Sequence, residues 1–125
     1  MSHLATLGTF LKAFERFDYD AAFALLADDC DYRNMPDPGT AHVGPKAARA
    51  FLEAFFKPTS ANELIVLRAV EEGNVAVVER LDRHRIGDTW IELPVTGVFE
   101  FRDGRIAVWH DYFDMATLQR QLPRG

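Results

Sequence analysis

The chain has one cysteine, Cys30, among 125 residues, so an internal disulfide is excluded. No apolar run approaches the roughly 18 residues of a membrane span. Positive charge is scarce: 14 lysines and arginines face 19 acids, for a net charge of −5. That balance argues against a nucleic-acid partner, which needs a basic stripe, and against an anionic membrane surface. The opening "MSHLATLGTFLKAFERF" is not a signal peptide in pattern, because its start is not basic and Lys12, Glu15 and Arg16 interrupt it. A cytoplasmic location is the resulting expectation. The histidines, His3, His42, His84 and His110, have no metal-ligand spacing, so no metal is assigned. "GPKAAR" lacks the P-loop pattern, and no Gly-x-Ser-x-Gly is present. There is no repeat, low-complexity segment or linker. Residues 1–125 therefore read as one domain, long enough for a real core.

What is present divides into two textures. Leu4, Leu7, Leu11 and Phe14 recur at helical spacing, with Phe10 and Phe17 alongside, and predict a helix over about 3–17. Asp18 or Asp20 can cap a second short helix through "AAFALLADD". "CDYRNMPDPG" reads as a brief strand entering a loop, and "PKAARAFLEAFF" as a third helix with Pro45 in its first turn. From Asn62 onward, "NELIVLRAVEE", "VAVVERLDRHRI", "TWIELPVTGVFEFR" and "RIAVWHDYFDM" are strand-like runs separated by "EGN", "GD" and "DG". Asp103-Gly104 is a strong hairpin signal. "ATLQRQL" closes the chain as a short helix. Helices followed by a meander indicate an α+β fold, with a curved sheet and helices on one face enclosing a pocket.

Strand alternation then sorts the polar side chains. In "VERLDRH", Val78, Arg80, Asp82 and His84 share one face. In "RIAVWHDYFD", Ala107, Trp109, Asp111 and Phe113 share one face, while Ile106, Val108, His110 and Tyr112 share the other. Asp111 is thus flanked by two aromatics. Tyr32 and Asn34 share a face and offer a phenol and an amide to a small polar molecule. Each signal alone has an ordinary reading. Arg80 with Asp82 is a solvated pair, Asp111 an exposed or capping acid, Tyr32 and Asn34 a strand edge, and Cys30 a small buried hydrophobe.

The combination says more. "YRNMP", "ERLD", "GVFEFRDGRI" and "WHDYFD", in that order, resemble the limonene-1,2-epoxide hydrolase family over nearly the whole chain. The resemblance implies a cone-like, curved mixed sheet with about three amino-terminal helices packed on its concave face, related to nuclear transport factor 2, ketosteroid isomerase and polyketide cyclases. It implies a catalytic set of Arg80, Asp82, Asp111, Tyr32 and Asn34, no cofactor, and a small epoxide as substrate. The substrate-binding wall is assigned to His84, Leu93, Val95, Trp109 and Phe113. His110 stands where the family commonly has arginine, and the "IGDT" turn is short. His84 stands where an apolar wall is expected, which favours a substrate with a hydroxyl or carbonyl on that side.

An epoxide needs a proton on its oxygen and water needs to lose one, so the site needs an acid and a base together. Two aspartates sharing a site divide one proton between them. Asp111 would be the base, Asp82 the acid, and Arg80 the fork holding both. Two other readings remain open at this level. One is an isomerase-like or cyclase-like enzyme using Asp111 as its base. The other is a non-catalytic small-ligand binding module. Leu81, Ile106, Val108 and Tyr112 on the outer face, too apolar to leave in water, lead to the expectation of a homodimer, which the resemblance also implies.

Overall fold

A computed structural model of the chain describes residues 2–123. The first helix, α1 (His3–Glu15), starts where the Ser2 side chain accepts the Ala5 N–H, and it buries Leu7, Phe10, Leu11 and Phe14. Asp18 caps α2 (Tyr19–Phe23) through the Ala21 N–H. The helical run ends there. Where "AAFALLADD" predicts helix to Asp29, the chain instead enters β1 (Leu26–Asn34). Tertiary pairing overrides the local preference: Leu26 lies opposite Ile106, and Leu26, Cys30 and Tyr32 are buried on one strand.

A two-residue strand, β2 (His42–Val43), leads into α3 (Gly44–Phe56), with Pro45 in its first turn as expected. The meander follows as β3 (Thr59–Glu72), β4 (Val75–Ile86), β5 (Thr89–Arg102) and β6 (Arg105–Tyr112). β3 begins at Thr59, before the predicted Asn62, because Thr59 and Ala61 already pair with the far end of β4. Asp103 and Gly104 both have positive φ, 53° and 78°, as a tight turn between β5 and β6 requires. Asp114 caps α4 (Met115–Gln121).

The strands form one curved, unclosed mixed sheet in the order β2-β1-β6-β5-β4-β3. Among the described residues only β1 and β6 are parallel neighbours. β4 and β5 alternate strictly, so Ala76, Val78, Arg80, Asp82 and His84 point inward with Ile91, Leu93, Val95, Gly97, Phe99 and Phe101. α1 packs its phenylalanines onto this face, where Phe10 meets Trp109 edge-on at 4.9 Å. A second cluster of Ile91, Leu93, Val95 and Leu118 holds α4 against β5.

β6 departs from simple alternation. Glu100 pairs with Val108 but Phe101 pairs with Ile106, so Ala107 is an extra residue in a bulge. The bulge turns Ile106 inward, where it is fully buried. Ile106 therefore does not belong to the outer apolar patch in which alternation puts it. No helix among the described residues is long and apolar enough to cross a membrane.

Candidate active site

β4 delivers Arg80, Asp82 and His84 to the concave side at two-residue intervals, and β6 delivers Asp111 two strands away. Between them on β5, Gly97 pairs with Asp111. The Arg80 guanidinium spans this gap. Its Nε and Nη2 donate to the Asp82 carboxylate at 2.8 and 3.2 Å, and its Nη2 and Nη1 to the Asp111 carboxylate at 2.8 and 3.2 Å. Arg80, Asp82 and Asp111 are 5 %, 6 % and 6 % exposed. This is not a solvated surface pair. It is a planar fork holding two buried carboxylates.

Two acids on one cation leave an excess negative charge where solvation is poor. Burial pushes the Asp82 carboxyl above its ordinary range; Arg80 opposes the shift and Asp111 adds to it. The Arg80 guanidinium, although burial opposes its charge, is held protonated by Asp111 and Asp82. Asp82 is therefore easier to protonate than an ordinary aspartate.

β1 contributes the remaining polar groups. Asn34 lies beside Asp111 and Tyr32 beside Trp109 in the parallel pairing. The Tyr32 hydroxyl donates to Asn34 Oδ1 at 3.2 Å, which turns the amide NH2 outward as a donor. Burial, more than the nearby Asp111 charge, raises the Tyr32 phenol well above its usual value, so it stays neutral. Tyr32 also stacks on Trp109 with ring centroids 4.0 Å apart. The buried Trp109 Nε1 has no partner among the described residues.

These groups open into one cavity of about 340 Å³. Every expected site residue lines it: Tyr32, Asn34, Arg80, Asp82 and Asp111, and also His84, Leu93, Val95, Trp109 and Phe113. His110 faces away from Asp111, with its Nε2 3.4 Å from Asp31. His84 is buried, and burial, with the Arg80 charge, lowers its pKa to about 4. Its Nδ1 lies 2.8 Å from Asn62 Oδ1, so one ring nitrogen already has a partner inside the protein. Among the described residues no group of three or more His, Cys, Asp or Glu side chains is gathered for a metal ion.

Two participants were not singled out from the sequence. Gly97 was signalled, since a lone glycine inside a strand run ("VTGVF") marks a close approach. Asn62 was not, because its role depends on the β3–β4 register that seats it opposite His84. The residues that roof the cavity, Leu11, Phe14, Phe51, Leu52, Phe55 and Phe56, come from helices that the sequence predicts, but nothing in the sequence places them over the site.

The chain is similar to known proteins over most of its length. The family model described as limonene-1,2-epoxide hydrolase catalytic domain matches residues 1–124. Epoxide hydrolase EphG of Mycobacterium tuberculosis (strain ATCC 25618 / H37Rv) is 34% identical over 116 residues, covering 93% of this chain and 76% of that protein. The solved structure of an M. tuberculosis LEH-like epoxide hydrolase superposes with a TM-score of 0.79 at 31% identity, covering 93% of this chain and 85% of that one. An NTF2-like protein of unknown function from Burkholderia pseudomallei K96243 shares the fold, with a TM-score of 0.86 at 24% identity over 99% of this chain and 100% of that one. So does a putative polyketide cyclase from Xanthomonas campestris pv. campestris, with a TM-score of 0.82 at 21% identity over 94% of each chain.

Proposed function

The chain belongs to the limonene-1,2-epoxide hydrolase catalytic domain family, and from that premise we propose that it adds water to a small epoxide in one step, giving a vicinal diol. The observation that carries this reading is the Arg80 fork gripping two buried carboxylates at the wall of an otherwise apolar cavity. An isomerase-like site needs one base and an oxyanion hole, and leaves the second carboxyl on Arg80 without a task. A binding module has no need of two ionisable acids in its pocket.

In this reading Asp82 enters the cycle protonated and Asp111 ionised. A water rests between Asp111 and the Tyr32–Asn34 pair, with the outward amide N–H of Asn34 donating to its oxygen. Asp111 takes a proton from the water as its oxygen bonds to an epoxide carbon. The epoxide C–O bond breaks, and Asp82 gives its proton to the departing oxygen. Arg80 keeps contact with both carboxyls while the charge moves from one to the other. The products are a diol and a pair whose proton sits on Asp111, so a proton must return to Asp82 before the next turnover. The family reading also includes a homodimer formed through the outer face of the sheet.

The test is a panel of simple epoxides incubated in oxygen-18 water with enzyme in excess. One labelled oxygen in the diol from the first turnover supports direct attack by water. Unlabelled diol in that turnover would mean a carboxylate ester on the enzyme, and no diol from any epoxide would remove the hydrolase reading altogether.

A further inference from the structure

We propose that His84, oriented by Asn62, forms a hydroxyl-recognising subsite, so that the preferred substrate is an epoxide bearing a hydroxyl remote from the oxirane. This rests on the epoxide-opening reading of Asp82 and names the substrate class for the same cavity.

The argument starts at the Asn62 amide. Its Nδ2 donates to the Phe14 backbone carbonyl at 3.2 Å, and a carbonyl can only accept. The amide orientation is thereby fixed, and Oδ1 is the atom turned toward His84 Nδ1, 2.8 Å away. An amide oxygen can only accept as well, so the imidazole proton is on Nδ1. The ring is neutral near pH 7, because burial and the neighbouring Arg80 charge hold its pKa down to about 4. Its one proton being committed to Asn62, Nε2 is a bare lone pair.

Nε2 has no hydrogen-bond partner among the described residues, and His84 lines the cavity. The nearest rings are those of Phe56 and Phe55, with centroids 5.3 and 6.1 Å away, and neither supplies a polar hydrogen. A lone pair on such a wall rejects hydrocarbon, which leaves it unpaired. It also rejects an ether or a ketone, which would meet it with another lone pair. An amine would arrive as a cation beside Arg80. A hydroxyl satisfies it. Sequence alone admits a hydroxyl or a carbonyl here; the fixed tautomer excludes the carbonyl.

β4 also sets the spacing. Asp82 and His84 are alternate residues on one face, so their side chains stand roughly 6–7 Å apart. With the epoxide oxygen at Asp82, the hydroxyl lies about that far away, beyond the reach of a group on the oxirane carbons themselves.

The experiment compares cyclohexene oxides carrying a hydroxymethyl, methoxymethyl or ethyl group across the ring from the oxirane. Wild type should show kcat/KM for the hydroxymethyl compound about tenfold or more above the other two. His84→Leu should lift the ethyl compound to parity or above. Asn62→Leu, which frees the proton to move to Nε2, should raise the methoxymethyl compound relative to the hydroxymethyl one. A second arm needs neither turnover nor a variant. Nitrogen-15 spectra of the wild-type imidazole should show the proton on Nδ1, and the Nε2 resonance should move with cyclohexylmethanol but not with methoxymethylcyclohexane. Equal rates for the three epoxides, a proton on Nε2, or an Nε2 signal blind to the alcohol would overturn the subsite while leaving the hydrolase standing. Absence of turnover with all three would instead count against the hydrolase, and the spectra would still decide the subsite.

Discussion

The Arg80 guanidinium occupies the space that a side chain at Gly97 would fill. A β-carbon on Gly97 would lie 2.8 Å from Arg80 Nη1, 3.0 Å from Asp111 Oδ1 and 2.7 Å from Cε2 of the Phe99 ring. The glycine is needed for room between two strands. Gly97→Ala should therefore displace the fork from Asp111, lowering kcat at least tenfold and stability by about 1–3 kcal/mol. Steady-state assays and thermal melts check both. Unchanged kcat would show that turnover does not need the bridge in this position.

Asp111→Asn and Asp82→Asn each keep the size of the side chain and remove the charge or the transferable proton. Each should reduce turnover by about 10²–10⁴-fold with the circular dichroism unchanged. Arg80→Lys should be comparably severe, since an ammonium with three donors cannot make the two-point contact to both carboxylates that the planar fork makes. Tyr32→Phe should be milder, because Asn34 still reaches the water. Near-normal rates in Asp111→Asn would remove its role in water activation.

The pH dependence of kcat/KM should be bell-shaped. On the hydrolase reading Asp82 acts only while protonated, and its raised pKa extends that state upward in pH, so the alkaline limb is expected to mark loss of its proton. The acid limb marks neutralisation of the base. A rate rising steadily above neutral pH would instead point to simple base catalysis, as an isomerase-like site would give.

His84 should also make stability pH-dependent. Its folded pKa of about 4 lies below the ordinary 6.5, so the unfolded chain takes up a proton first as pH falls. Stability is thus fully present above about pH 6.5 and lost toward pH 4, by about 3 kcal/mol at most. Asp82, with its raised pKa, acts in the opposite direction, so the informative quantity is the difference between wild type and His84→Leu. Urea melts at several pH values should show that difference narrowing through this window. A constant difference would mean that His84 titrates normally.

The legible parts of this protein are those governed by short-range patterns. Alternation in "VERLDRH" was enough to put Arg80, Asp82 and His84 on one face, because β4 runs without a bulge through that stretch. In β6 the same rule placed Trp109 and Asp111 correctly but not Ile106, since Ala107 adds a residue that no local pattern announces. Residues 26–29 read as helix, yet they become strand because β6 pairs with Leu26 and again from Asp31 onward. Asn62 has meaning only opposite His84 and next to the Phe14 carbonyl, 48 residues away along the chain. What the sequence left hidden was register between distant segments.

The outer face of the sheet supports one last expectation, a homodimer. The loss of Ile106 to the core weakens the patch read from the sequence, but the β3–β4–β5 surface replaces it. Ile65 pairs with Leu81 and Leu81 with Pro94, so all three point outward together. Leu67 and Tyr112 lie on the same surface, 58 % and 47 % exposed. Contiguous apolar area of this kind is uncommon on a monomer. A two-fold contact uses the same patch twice, so a charge placed in it appears on both sides of the interface. Light scattering at micromolar concentration should give twice the chain mass for wild type. Leu81→Glu combined with Leu67→Glu should give the chain mass itself, with the cavity and its chemistry on the opposite face of the sheet. A wild-type protein that remains monomeric in this range would leave the patch without its partner and the dimer expectation without support.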